Sequence, residues 1–497
     1  MKTHLVFAIM TIALLAFVIS QRSHQNVTFN TVVERFTRQP LEPPKPANEA
    51  LKNLTYDQAR DIRYQEDRTL WRKEGLPFQV RFFFGSGNLA NAPVTIFQFN
   101  RDGARQEQYS PDLFNFGPLV KLSDADKAAG NFSGFRVYYP IDKPDRLDEV
   151  VAFQGASYFR PRAKGQIYGL SARGIAVDTL GKEDFPTFTT FWLAEPTANA
   201  SELKFYALLE GRDLSGAYEF RVQPGAETKI HVHARLFPRT EIKDIGFAPL
   251  TSMFWFGENT SNTFGDWRPE VHDSDGLQIQ RSNGEWLWRP LAWAKQRQVN
   301  TFADTNPKGF GLFQRDRDFT HYQDLEANYH LRPSIWVQPD GDWGPGEVVL
   351  MQNPTKDEYS DNIVAYWRPQ GGIRPGQAID FSYTLTTFTE NGGLPPLARS
   401  ISTRIDYQER PDYRSFVLDF EGSGLEGFPP DPKMVDLWTS DNGILSNVTV
   451  QAIPTTKMWR VSFGITAKPG NDSVEMRCTL RNAGKPLSET WTYTWVK

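Results

Sequence analysis

A single cysteine, Cys478, occurs in 497 residues. An internal disulfide is therefore excluded, and the fold must stand on burial alone. The setting of that residue, Val474-Glu-Met-Arg-Cys-Thr-Leu480, alternates as a strand does, which predicts a buried, inert thiol. Charge of either sign is also scarce in net terms: the balance is −4. That argues against a basic groove for nucleic acid and a long acidic tail, and favours a neutral ligand. No Gly-rich loop runs into a Lys-Ser/Thr pair, and no Gly-x-Ser-x-Gly elbow is present. A nucleotide site and a serine-hydrolase triad lose their support, and no cofactor is expected. His231 and His233 share one face of a strand, but no acid or cysteine with ligand spacing accompanies them, so no metal is expected there. Internal repeats of propeller or solenoid period are missing too.

Long apolar runs are confined to the N-terminus. Lys2 and His4 precede an apolar stretch at residues 5–19. The stretch is short for a membrane span and suits the core of a signal peptide, here residues 1–20, with cleavage near Ser20–Gln21. No twin-arginine pair precedes it. Pro40, Pro43, Pro44 and Pro46 then mark an extended lead-in. Thr55 and Gln58 form a candidate capping box, and the residues after it predict a helix over 56–72. Beyond it, short runs rich in Val, Phe, Tyr and Thr alternate with turns, as in Thr228-Lys-Ile-His-Val-His-Ala234. This texture predicts an all-β chain built as a large β-sandwich over residues 21–390. Glu390-Asn-Gly-Gly-Leu-Pro-Pro396 reads as a break, so a connector is placed at 391–400. Residues 401–497 have the size and alternation of a small immunoglobulin-like sandwich.

Between Trp255 and Trp367 lie eight of the fourteen tryptophans, interleaved with acids such as Asp266, Glu270, Asp273, Asp275, Asp316, Asp324 and Asp361. Flat rings stack on the C–H faces of pyranoses, and carboxylates bind hydroxyls or move protons, so the pattern suits a sugar polymer. It equally suits a large aromatic core with an acidic surface. Asp361 stands before an apolar strand, where desolvation can raise a carboxyl pKa toward that of a proton donor. Asp273 and Asp275 sit in a polar, turn-like segment and could be turn formers instead. Arg332 could clamp hydroxyls or make an ion pair. Tyr329 could bond a hydroxyl and Trp336 could stack on a sugar ring, or both could pack in the core.

Several segments together are similar to one family. They are Phe153-Gln-Gly-Ala-Ser-Tyr-Phe159, Tyr168-Gly-Leu-Ser-Ala-Arg-Gly174, Ala248-Pro-Leu-Thr-Ser-Met-Phe254, Gly284-Glu-Trp-Leu-Trp-Arg-Pro-Leu291, Gly309-Phe-Gly-Leu-Phe-Gln314 and Asp361-Asn-Ile-Val-Ala365. They resemble the periplasmic glucan biosynthesis proteins of Gram-negative bacteria, the OpgG (MdoG) and OpgD family. The resemblance implies a galactose-mutarotase-like large sandwich and a periplasmic role in making osmoregulated glucans with a β-1,2-linked backbone. It further implies an inverting endo-β-1,2-glucanase in which Asp361 is the general acid, Asp273 the base acting through water and a sugar hydroxyl, and Tyr329 a residue lining the site. Asp275 competes for the base. Asp318-Phe-Thr-His-Tyr-Gln-Asp324 and His272-Asp-Ser-Asp275 are similar to the OpgD branch and bring His321 and Asp275 into the expected substrate site. The lack of a twin-arginine signal is similar to OpgG. The partners implied are β-1,2-glucan, the membrane glucan glucosyltransferase and a second copy in a homodimer. A non-catalytic glucan-binding factor is the alternative.

Overall fold

The computed structural model describes residues 27–38, 48–261, 263–389, 394–407, 410–470 and 473–497. The expected signal peptide at 1–20 lies outside these residues. Two large sheets carry most of the chain. A ten-stranded sheet contains, in spatial order, Gln79–Phe84, Phe132–Lys143, Arg146–Gln154, Tyr158–Pro161, Ser171–Arg173, Ile245–Ser252, Ile363–Pro369, Gly346–Gln352 and Gln298–Asp304, with Ile175–Val177 as a side branch on Ile245–Ser252. A fifteen-stranded sheet faces it, with Thr228–Pro238 and Ile379–Phe388 near its middle.

The period-two pattern explains why these segments are strands. In Thr228–Pro238 the buried side chains are Thr228, Ile230, Val232, Ala234, Leu236 and Pro238, while Lys229 and the two histidines face outward. The inward faces meet in one aromatic core. Phe135 stacks on Phe153 at 5.3 Å, and Phe153 meets Phe205 of the opposite sheet edge-on at 5.2 Å. Such offset and T-shaped pairs add to the area they bury.

The C-terminal strands form a second sandwich. One layer is the sheet Arg399–Asp406, Tyr413–Glu421, Met458–Ala467 and Gly443–Ala452. The other is Val435–Thr439, Ser473–Asn482 and Thr490–Val496. This second layer continues into the large sheet, because Thr490 and Trp491 pair in parallel with Leu287 and Trp288. Cys478 is buried inside this sandwich, and burial pushes its thiol far up in pKa. Of the connector placed at 391–400, residues 391–393 lie outside the described residues. Its far end, Arg399 and Ser400, already belongs to a strand.

The helix expected over 56–72 is much shorter. It spans Tyr56–Arg60 behind the expected capping box, in which the Thr55 backbone N–H donates to Gln58 Oε1 at 2.9 Å. Ile62–Tyr64 instead pairs with Phe114–Phe116 as a strand. Tyr64 meets Phe82 and Phe114 edge-on at 5.6 and 5.3 Å, so tertiary packing overrides helix propensity. A ten-residue helix at Phe29–Arg38 escaped the sequence reading; it packs on the strands Leu203–Glu210 and Leu214–Gln223.

Candidate active site

Asp361 is fixed by the residue after it. The Asn362 side chain accepts from Phe254 N and donates to Phe254 O, both at 2.9 Å, and also donates to Asn353 O at 2.9 Å. Three bonds lock the start of the strand Ile363–Pro369 and leave the Asp361 carboxyl partly open, at 37% side-chain exposure. Its Oδ2 stands 3.6 Å from a guanidinium nitrogen of Arg160. Arg160 is held in turn by donating from Nε to Ser171 Oγ at 2.7 Å.

Asp361, Arg160, Tyr158, Tyr168, Glu149 and Arg136 line a cavity of about 640 Å³ on the sheet face turned away from the core. Tyr56, Phe83, Arg136 and Gln154 are shared with an adjoining cavity of about 1230 Å³, so the two make one continuous groove. Arg136 lies 4.3 Å over the Phe83 ring and Arg81 4.3 Å over Tyr138. Rings of this kind hold guanidiniums flat, and here Arg136 also donates to Glu149 at 2.7 Å and Arg81 to Thr69 Oγ1 at 3.1 Å.

Asp273 sits deeper. It is 4% exposed, it is not among the residues lining that groove, and its backbone N–H donates to Met253 O at 2.8 Å. Arg332 donates from its guanidinium to Asp273 Oδ1. Burial pushes the Asp273 carboxyl up; the guanidinium of Arg332 pulls it down, Asp361 adds to the rise, Arg160 opposes it, and the net is upward. The Asp273 backbone bonds Met253 and the Asn362 side chain brackets Phe254, so adjacent backbone positions tie the segments of the two aspartates together.

The remaining sequence candidates fall in three places. Tyr329 and Arg332 sit beside Asp273 but face inward. The Tyr329 hydroxyl donates to Glu358, its ring is 1% exposed, and the Arg332 guanidinium lies 4.3 Å over it. They brace Asp273 rather than presenting their polar ends to the groove. Asp275, the competing base, is turned the other way: its Oδ2 accepts the backbone N–H groups of Arg315 and Asp316, and it lines a small separate cavity against the C-terminal sandwich. His321 is half-exposed, with Nδ1 2.5 Å from Asp316 Oδ2, and is not among the groove-lining residues.

Trp336 corrects the expectation that it stacks on a sugar. It is 5% exposed and packs between Trp286 at 5.7 Å and Phe313 at 6.0 Å, so no ring face is free. Trp336→Ala is accordingly expected to cost about 3–5 kcal/mol of stability, read as a lowered urea midpoint. His231 and His233 face separate acids, Asp340 at 3.0 Å and Asp380 at 3.2 Å.

Two features escaped the sequence reading. Arg160 is the outward residue of Tyr158–Pro161, between the buried Phe159 and Pro161, and strand alternation could have found it. Arg268 reaches Asp266, Asp324 and Glu358 at 2.7–2.8 Å and ties three loops together behind Tyr329. Nothing in sequence spacing announces that network. Among the described residues, two sets bring three ligand-type atoms within 4.8 Å of one another: Glu270 with His272 and Asp275, and Glu270 with Asp316 and His321.

The fold and groove define a class: an all-β double sandwich with a long open cleft, a half-exposed carboxylate in its wall and a buried one behind. The chain belongs to the family described as periplasmic glucan biosynthesis protein, MdoG, whose model matches residues 26–495. Among similar proteins is the glucans biosynthesis protein G of Ralstonia nicotianae, 44% identical over 463 residues, covering 91% of this chain and 92% of the relative. That of Rhodopseudomonas palustris is 44% identical over 474 residues, covering 94% and 93%. Among solved structures, a GalM/aldose epimerase homologue from C. elegans is 10% identical and covers 52% of this chain and 97% of its own, with a TM-score of 0.19, too low to argue from. No helix among the described residues is long and apolar enough to cross a membrane.

Proposed function

We propose that this protein is an inverting endo-β-1,2-glucanase that cuts the linear backbone of periplasmic glucan. The observation that carries the reading is a half-exposed Asp361 in the wall of a long groove, with a second carboxyl, Asp273, buried off the groove on an adjoining segment. Asp361 would give its proton to the leaving glycosidic oxygen. Water would attack the opposite face of the sugar ring, and its proton would pass to Asp273. Because Asp273 is set back from the groove, that transfer would run through an intervening water and a sugar hydroxyl. Inverting sites need such room between the two carboxyls. Arg332 would hold Asp273 in place and keep its own charge, while the arriving proton would neutralise the Asp273 carboxylate. An open groove longer than one sugar fits attack within a chain rather than at its end.

Export through residues 1–20 would deliver the protein to the periplasm, and the membrane glucan glucosyltransferase would supply its substrate. Incubation of the purified protein with linear β-1,2-glucan is expected to give shorter chains, with new reducing ends in the α configuration by NMR. Unchanged chain length would sink the reading. One observation favours a second reading, a non-catalytic glucan-binding factor: Arg332 already occupies Asp273, which suits a structural pair. Binding by calorimetry without any cleavage would select it.

A further inference from the structure

In a cavity that shares no lining residue with the groove, a different set of groups converges between the two sandwiches. Glu270 and His272 flank Val271, and Asp275 follows three residues on. His272 is 1% exposed, with Nε2 2.9 Å from Glu270 Oε2 and 3.6 Å from Asp275 Oδ1.

The surroundings fix how each group points. Gln314 Nε2 donates to His272 O at 2.9 Å, to the Tyr322 hydroxyl at 2.9 Å and to Tyr329 O at 3.2 Å. That sets the amide orientation, so Gln314 Oε1, 3.0 Å from His272 Nδ1, must accept the Nδ1 proton. Nε2 is left aimed at the two carboxylates. An imidazole tied at one nitrogen by an amide or carboxylate oxygen is the usual support of a metal-bound histidine. Asp275 is arranged in the same way, with Oδ2 held by two backbone N–H groups and Oδ1 turned to His272.

These groups line a cavity of about 30 Å³ together with Glu258 and Ser400. That is room for an ion or a water. Ser400 is 1% exposed, and its Oγ has no hydrogen-bond partner. The one guanidinium in the cavity wall, Arg315, is already neutralised by Glu489 at 2.6 Å. Three carboxyl side chains, Glu258, Glu270 and Asp275, therefore share the cavity with one imidazole. Glu270 also reaches Asp316 and the half-exposed His321, which connects the cluster to solvent.

We propose that Glu270, His272 and Asp275 form a divalent-cation site that joins the two sandwiches, with Ser400 Oγ as a fourth donor from the C-terminal one. One imidazole nitrogen and two carboxylate oxygens suit Zn²⁺ or Mn²⁺ better than Mg²⁺, which prefers all-oxygen octahedra and keeps its waters. The site lies apart from the groove and does not depend on the glucanase reading.

The test uses the full chain after dialysis against EDTA, titrated calorimetrically with ZnCl₂ and with MnCl₂. One ion per chain is expected for at least one metal, with a raised melting temperature. Glu270→Gln and His272→Gln are each expected to weaken binding by at least ~100-fold, the upper end of what losing even a supporting partner costs. His231→Gln should bind as the parent does. Should His272→Gln fail to fold, the paramagnetically shifted imidazole N–H signal in the proton NMR spectrum of the Co²⁺-loaded parent reports imidazole ligation directly. Absence of stoichiometric binding by either metal overturns the site. So does binding that survives both Glu270→Gln and His272→Gln, or that is lost in His231→Gln.

Discussion

Asp361→Asn is expected to slow cleavage of β-1,2-glucan by about 10²–10⁴-fold, the usual contribution of a positioned proton donor. Glucan affinity should change only a few-fold, because an amide fills the same space and keeps a polar contact with the groove. Stability should move little. Asp361 is partly open to water and its ion pair with Arg160 spans 3.6 Å, the kind of exposed pair worth roughly 0–1 kcal/mol. Loss of rate with intact binding and an intact melting profile is therefore the signature of a catalytic proton. Chain-length analysis after timed digestion gives the rate, and calorimetry with an oligosaccharide gives the affinity. A variant that cuts as fast as its parent would remove Asp361 from the chemistry. Equal and complete inactivity in both would favour the glucan-holding alternative.

A loss of stability as large as that from Trp336→Ala is expected at the seam between the sandwiches. Arg315 follows the strand Gly309–Phe313, and Glu489 precedes Thr490–Val496. Their ion pair at 2.6 Å has side-chain exposures of 4% and 0%. The guanidinium lies 3.5 Å over the Trp288 ring, and it also donates to Ser400 O at 2.7 Å. Glu489→Ala would strand that charge in a dry interior, and a loss of about 3–5 kcal/mol is expected. Replacing both partners, Arg315→Met with Glu489→Leu, removes the buried charges together and should recover most of it. Denaturant melts of the two variants decide the matter. A near-silent Glu489→Ala would mean that water reaches the pair.

The sheet-forming segments were legible because burial on one face writes itself as alternation, as in Thr228–Pro238. The helix beyond residue 60 was misread because local propensity carries no knowledge of Phe114–Phe116, a partner some fifty residues away that turns Ile62–Tyr64 into a strand. Trp336 was misread for a related reason. Its strand, Ser334–Asp340, opens with four consecutive buried residues, so alternation could not say which face a tryptophan takes. The same aromatic composition serves a core and a sugar platform alike. Asp273 and Asp275 are two residues apart in one turn, yet one reaches Arg332 and the other the backbone at 315–316. Only the path of the chain through that turn separates them. Arg160 lies two hundred residues from Asp361, and no spacing rule links them.

The shared ladder at Leu287–Trp288 and Thr490–Trp491 limits how this molecule can move. Swinging the C-terminal sandwich outward would tear main-chain bonds in the middle of a sheet as well as the Arg315–Glu489 clasp. The ladder and the clasp thus resist hinging between the two sandwiches, and the groove is left to be reshaped by the short segments at its rim, around Tyr56 and before Asp361.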